Sequence, residues 1–220
     1  MKVVVKADIL SRNDAAAAEN AALFARRGIY ALNLLGSPGA GKTSLLEQTL
    51  AELGTDLRIA VIEGDLFTTK DAARIERCGA QVVQINTIGG CHLDAAMVAA
   101  ALEKIDLTAL DLIVIENVGN LVCPAEFALG EDAKAVVLSI TEGDDKPLKY
   151  PLIFKESAAA LLNKVDILPY TNFDMEAAER DITALHPGIA VLPVSCRTGE
   201  GLSAWYDWVR AAVRAKKERT

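Results

Sequence analysis

Apolar residues in this chain fall into short runs rich in Val, Ile, Leu and Ala, at 29–35, 58–62, 81–85, 111–115, 135–140, 159–162 and 189–194. Stretches of helical period separate most of them. Runs of this length, apolar on both faces and alternating with helices, predict a mainly parallel sheet with right-handed crossovers. The expected class is α/β, three layers, with helices on both faces of the sheet. Ahead of the first run, Val3 to Val5 read as a short extension, and Ser11 or Asn13 as the cap of an Ala-rich helix over 14–27 that Gly28 ends. Thr68 or Thr69 is placed as the cap of a later helix closed by Gly79, and further helices are expected up to about Lys104, near 174–185 and over 201–216. In parallel sheets ligands gather beyond the carboxyl ends of the strands, so the polar residues there are the candidates for chemistry.

Directly after the first run stands Gly36-Ser37-Pro38-Gly39-Ala40-Gly41-Lys42-Thr43-Ser44, leading into a helical pattern. Strand, glycine-rich turn and helix are the setting in which G-x-x-x-x-G-K-[ST] means a P-loop. Its glycines let successive backbone N–H groups converge on phosphate oxygens, and the following helix adds the positive end of its dipole. Lys42 reaches toward the β- and γ-phosphates, and the Thr43 hydroxyl can ligand Mg²⁺. The plain alternative is an ordinary glycine-rich turn, which the full motif in this setting argues against. The fold expected is therefore that of a P-loop NTPase.

Composition changes the picture little. The 220 residues suit one domain over 1–220, with 1–28 an N-terminal extension carrying a helix and 29–216 the core. A net charge of −7, with basic residues clustered only at 214–219, excludes a nucleic-acid surface. No apolar run approaches a membrane span and no signal pattern opens the chain, so no membrane partner and a cytoplasmic location are expected. In a reducing compartment the four cysteines, 78, 91, 123 and 196, read as metal ligands or buried apolar residues and not as disulfides.

Asn163-Lys164-Val165-Asp166 follows an apolar run. A strand-end carboxylate at Asp166 can accept from guanine N1–H and N2–H₂, a donor pair that adenine lacks, so the base is read as guanine. Ser195-Cys196-Arg197 resembles the S-A-[KL] loop whose backbone reads guanine O6, with Cys in the middle place. At the phosphate end, Glu116 precedes Gly119 by three residues, in the place of a γ-phosphate-sensing D-x-x-G. The Gly119 N–H can bond the γ-phosphate, and Glu116 can hold Mg²⁺ directly or through water. Asp65 closes a neighbouring strand and is assigned to Mg²⁺ or to orienting the attacking water; a solvated loop carboxylate is the alternative. No arginine finger is assigned, which implies slow intrinsic hydrolysis.

Soft donors form a second constellation. Cys91 and His92 adjoin at the start of a helix, and Cys123-Pro124 lies in another loop at the same sheet edge. Cys, His and Cys suit Ni²⁺ or Zn²⁺, with water or a second subunit completing the shell. The alternative is two small buried cysteines and a helix-capping histidine. Cys78 and Cys196 are read as structural.

Taken together, G-S-P-G-A-G-K-T, E-G-D at 63–65, G-G-C-H-L-D at 89–94, E-N-V-G-N-L-V-C-P at 116–124, S-I-T-E-G-D-D-K-P at 139–147 and N-K-V-D at 163–166 resemble the HypB family, from about residue 25 to 210. These are GTPases that help deliver nickel to [NiFe]-hydrogenase. The resemblance implies the SIMIBI-class GTPase fold, GTP and GDP as ligands with Mg²⁺, and a homodimer favoured by GTP. It also implies other hydrogenase-maturation proteins as partners, a nickel chaperone among them. Cys91, His92 and Cys123 match the family's metal ligands, which sit at or near the subunit interface. Some members carry an N-terminal C-x-x-C-G-C motif or a His-rich stretch; residues 1–28 contain neither Cys nor His, so no separate tight nickel store is expected. Rival readings are weaker. Urease nickel-chaperone GTPases carry C-P-H, whereas C-H and C-P stand in separate loops here. Cobalamin-enzyme chaperones share E-x-x-G without these cysteines, and partitioning ATPases need a lysine where Ser37 stands. A nucleotide-dependent scaffold without metal is the reading from a different class.

Overall fold

Each apolar run becomes a strand of one sheet. The computed structural model describes residues 6–65 and 70–219. In chain order the elements are α1 (Lys6–Arg27), β1 (Tyr30–Gly36), α2 (Lys42–Leu53), β2 (Ile59–Asp65), α3 (Lys70–Glu76), β3 (Gln81–Asn86), α4 (Ala95–Leu102) and β4 (Leu112–Glu116). They continue with α5 (Cys123–Glu126), β5 (Ala133–Ser139), α6 (Lys146–Lys149), α7 (Pro151–Lys155), β6 (Ala159–Asn163), α8 (Met175–Leu185), β7 (Ala190–Val194) and α9 (Leu202–Lys217). The strands form one seven-stranded sheet in the order β3-β2-β4-β1-β5-β6-β7. Every pairing is parallel, so all seven carboxyl ends share one edge.

Side chains alternate across each strand, and both faces are covered. Leu32 and Leu34 of β1, Val61 of β2 and Val114 of β4 pack with Leu46 and Leu50 of α2 and Trp205 and Val209 of α9. Ala31, Ile62 and Ile113 meet Phe24 of α1 and Val98 and Leu102 of α4 on the opposite face. Farther along that face, Val136, Leu138 and Leu162 pack with Ile153 and Phe154 of α7 and Ile182 of α8. Each such fully buried side chain contributes roughly 1.5–3 kcal/mol. The indole of Trp205 also donates to Thr49 Oγ1 (2.9 Å), which ties α9 to α2 behind the nucleotide loop.

The helices differ from expectation in two respects. Helix α1 begins at Lys6, roughly two turns before Asp14. Ser11 and Asn13 therefore lie within the helix and not at its start. The Asn13 side chain instead donates to Ala128 O (2.8 Å) and accepts from Ala95 N (2.9 Å). Tertiary partners here outweigh the local preference of Asn for a helix start. The short helices α5, α6 and α7 were not expected as helices; each has Pro in its first turn, where its missing N–H costs nothing. The expectations for Val3–Val5 and for a cap at Thr68 or Thr69 lie outside the described residues.

Candidate functional site

The nucleotide loop runs from the end of β1 into α2. Gly36 (φ +148°) and Gly41 (φ +104°) have backbones that only glycine adopts without strain. At Gly41 a Cβ would also strike the Asn163 side chain, and at Gly36 the carbonyl of Val137. Two lysines lie over the loop. Lys42, 7% exposed, donates to the carbonyls of Gly36 and Ser37, both at 3.2 Å, and Lys164 donates to Gly39 O at 2.7 Å. A cavity of about 390 Å³ opens here, lined by Pro38, Gly39, Lys42, Thr43, Ser44 and Gly119 among others.

A second cavity of about 320 Å³ shares Gly41, Ser44 and Lys164 with the first and is lined by Asp166, Ile167, Cys196 and Arg197. Asn163, 2% exposed at the end of β6, organises the space between the two. Its amide donates to Ala40 O (2.9 Å), and its carbonyl accepts from Lys164 N (2.8 Å) and Cys196 N (3.2 Å). This clamp holds Lys164 at φ +73°, a left-handed conformation that costs a non-glycine residue about 1–3 kcal/mol. Ser195 donates to Asp166 Oδ1 (2.6 Å), fixing the carboxylate at the cavity wall. Cys196 is half-buried, and burial pushes its thiol up to about 11, so it presents a neutral side chain and its backbone.

The acidic side of the cavity over the glycine-rich loop holds Glu63, to which the sequence reading gave no role. Glu63 of β2 and Glu116 of β4 are register partners, each 3% exposed. Thr43 donates to Glu116 Oε1 at 2.8 Å. Glu63 Oε2 and Glu116 Oε2 are buried with no hydrogen-bond donor to meet them. Burial, then the Glu116 charge, raises the Glu63 carboxyl to about 10; Glu116 is raised by burial, against the opposing pull of Lys42. Two buried carboxylates at one spot need a shared proton or a cation between them. Beside the Thr43 hydroxyl, this all-oxygen donor set fits Mg²⁺. Asp65 lines the same cavity, as do Asp71 and Arg74. Arg74 is pinned by Glu47 (2.6 Å) and Asp71 (2.9 Å) and also donates to Ser44 Oγ (3.2 Å). The sign of Glu63 in the sequence was a carboxylate directly after an apolar run; its pairing with Glu116 depends on strand register, which no local pattern carries.

One loop farther out, the ligand atoms of Cys91, His92 and Cys123 lie within 4.8 Å of one another. Cys91 is exposed and Cys123 half-exposed, so neither is a buried apolar filler. Cys91 Sγ is 3.5 Å from His92 Nδ1. A hydrogen bond with the neighbouring Cys123 thiol pushes the Cys91 thiol up. His92 stacks on Phe127 (centroids 4.0 Å apart), and its burial lowers the imidazole pKa, which favours the neutral ring a metal requires.

Asparagine side chains hold these two loops. Asp94 caps α4 by accepting from Met97 N (2.8 Å), and Leu93 N donates to Asn117 Oδ1 (3.1 Å). From α1, Asn13 and Asn20 together bond Ala95 to Ala128 and Leu129, tying the segment after His92 to the segment after Cys123. Asn120 contributes as well. Its side chain donates to Cys91 O (3.3 Å) and accepts from Val122 N (2.8 Å). Cys78, read as structural, is exposed on the turn after α3, its thiol 3.6 Å from Arg74 O.

Comparison with known proteins agrees with this geometry. Residues 30–193 match the family described as CobW/HypB/UreG, nucleotide-binding domain. The hydrogenase maturation factor HypB of Rhizobium leguminosarum bv. viciae is 51% identical over 219 residues, covering 97% of this chain and 73% of that protein. The crystal structure of HypB from Helicobacter pylori in complex with nickel superposes with a TM-score of 0.89 at 37% identity, covering 94% of this chain and 97% of the other. HypB from Archaeoglobus fulgidus gives 0.87 at 35% identity, covering 93% and 100%.

Proposed function

The chain belongs to the CobW/HypB/UreG family and, within it, to the hydrogenase maturation factors of the HypB type, and on that premise we propose that it is a GTPase that carries nickel for insertion into [NiFe]-hydrogenase. The observation behind this is spatial. A phosphate cavity, a base cavity and a cluster of three soft donors open at the same edge of one sheet, on neighbouring loops.

Asp166, held by Ser195, would accept the two guanine donors, while the Asn163 clamp shapes the loop against which the base lies. Lys42, Lys164 and the loop amides would neutralise the phosphates. Thr43, Glu116 and Glu63 would hold Mg²⁺, with Asp65 placed to ligand it or to orient water. Bound there, Mg²⁺ supplies positive charge to the transferring phosphoryl oxygens. Catalysis in such sites is mostly positioning and charge stabilisation. Arg74 is already engaged by two carboxylates, which agrees with slow unassisted turnover.

Nickel is the cargo, and zinc would suit the same donors. Three protein ligands leave a place for water or for a second copy of the chain. We therefore expect a homodimer favoured by GTP, and handover to or from another maturation protein, a nickel chaperone among them. The test is direct. Pure protein should hydrolyse GTP and bind one equivalent of nickel per chain, and Cys91→Ser or Cys123→Ser should lose that metal. Retention of the metal by both variants would sink the soft-donor reading. Sedimentation should show more dimer with a non-hydrolysable GTP analogue than with GDP; equal behaviour would count against the dimer.

A further inference from the structure

We propose that Asn120 is the positioning residue through which the nucleotide loop and the soft-donor cluster sense one another. The proposal rests on the reading above, in which the loop takes GTP and the cluster takes nickel. Asn120 joins its own loop, the one that carries Cys123, to two other segments at once. Its backbone N–H donates to Gly36 O (3.1 Å), making a bridge with the first residue of the nucleotide loop. Its side-chain amide donates to Cys91 O (3.3 Å), and its side-chain carbonyl accepts from Val122 N (2.8 Å), the residue before Cys123.

The chemistry of those partners determines the residue. A backbone N–H on one side and a backbone carbonyl on the other require an acceptor and a donor on one short side chain. Asp offers two acceptors and would set an oxygen against Cys91 O. Ala offers neither group, and Gln is one methylene too long.

The link has little slack at its inner end. Gly119, just before Asn120, packs so closely on Pro38 that a Cβ there would lie 2.8 Å from Pro38 N and 2.9 Å from Pro38 Cγ. A shift of the loop at Pro38 must therefore displace Gly119 and Asn120, and Asn120 passes it to Cys91 and to Cys123 together. Because Asn120 sits in the Cys123 loop and its amide holds the Cys91 loop, one displacement reaches both sets of soft donors.

Coupling between two sites typically amounts to roughly 5–150-fold in affinity and is reciprocal. Nickel affinity of the full-length protein is measured with GDP and with a non-hydrolysable GTP analogue, by the nickel–thiolate charge-transfer absorption, for wild type, Asn120→Ala and Asn120→Asp. Nucleotide affinity is then measured on nickel-free and nickel-loaded protein. We expect wild type to show an affinity ratio of at least about 5-fold between the two nucleotide forms. In Asn120→Ala the ratio should fall below about twofold, with GDP still bound, since neither nucleotide cavity uses this side chain. Asn120→Asp, nearly isosteric, keeps the Val122 bond and loses the Cys91 bond; its ratio should also fall, and it decides the matter if the Ala variant does not hold GDP. A wild type without any ratio, or an Asp variant that keeps the full ratio, overturns the role of Asn120. Cys91→Ser and Cys123→Ser separate the two ideas: if both variants keep their nickel, the function reading fails, whatever Asn120 does.

Discussion

The nucleotide end and the soft-donor end of this sheet are built in different ways. Around the loop after β1 the working groups are buried and sit on regular elements: Lys42 and Thr43 open α2, and Glu63, Glu116 and Asn163 stand at strand ends. The soft donors stand one loop away from the sheet, with Cys91 exposed and Cys123 half-exposed, and side chains of Asn13, Asn20, Asn117 and Asn120 hold their surroundings. A strand-end site is rigid because the whole sheet must deform to change it. A site suspended on single hydrogen bonds, each worth about 0.5–1.5 kcal/mol net, can shift when one of them is lost. The first arrangement suits chemistry that needs fixed charges, and the second suits a cargo that must be released.

If that contrast holds, the two ends should fail independently. Lys42→Ala should lower GTP hydrolysis by at least about 100-fold, the scale of losing a charged group at the reacting phosphate. Nickel should still bind this variant one to one. Cys123→Ser should do the reverse, with phosphate release within about threefold of wild type. Loss of both functions in either variant would show that the two ends are one site.

The base cavity offers a sharper probe of the rigid end. Asp166→Asn should exchange guanosine for xanthosine preference by about 100-fold or more, because an amide can offer N–H to the xanthine 2-oxo group where the carboxylate would oppose it. Competition between GTP and XTP for the pure variant measures this directly. A variant that still prefers GTP would mean that Asp166 does not read the base.

Charge should distinguish the ends too. With no Mg²⁺ or nucleotide, Glu63 and Glu116 have pKa values raised above those of the unfolded chain, so the folded protein binds more protons. The stabilising effect of that proton is complete below the ordinary carboxylate range and is lost as pH rises toward about 10, the value at Glu63. Denaturation of metal-free protein should show stability falling across pH 5–8 by up to about 1.4 kcal/mol per pH unit. Glu63→Gln should flatten the slope. A profile unchanged by Glu63→Gln would place the proton elsewhere.

The smallest effect belongs to the suspended end. Asn13→Ala leaves Ala95 N and Ala128 O without their partner and should cost about 1–2 kcal/mol of stability. It should weaken nickel binding several-fold with GTP turnover unchanged. Urea denaturation and a metal titration check both; an unaltered nickel affinity would remove α1 from the support of the cluster.

The same contrast explains what could be read from sequence. The nucleotide loop was legible because its glycines answer to local backbone needs, and Asn163-Lys164-Val165-Asp166 because its neighbours are local as well. Every strand was legible from its apolar run, although individual ends moved by up to three residues. Glu63 was not, because its partner Glu116 is fixed by the register of β2 on β4. Asn13 was read as a cap because locally it is a good one; its true partners lie 82 and 115 residues away. Cys91, His92 and Cys123 could be named in advance, but their approach to within 4.8 Å depends on the whole sheet.

Those long separations also bear on the order of assembly. Helix α1 is synthesised first, yet its asparagines meet their partners only after Ala95, Ala128 and Leu129 have been made, 75 to 115 residues later. Closing loops of that length is entropically unfavourable until the strands between them pair, so these bonds form late in folding. Until then Cys91, His92 and Cys123 are three scattered ligands on a flexible chain, open to any thiophilic ion and selective for none. The three-donor arrangement exists only in the finished fold, so loading of a metal there belongs after synthesis.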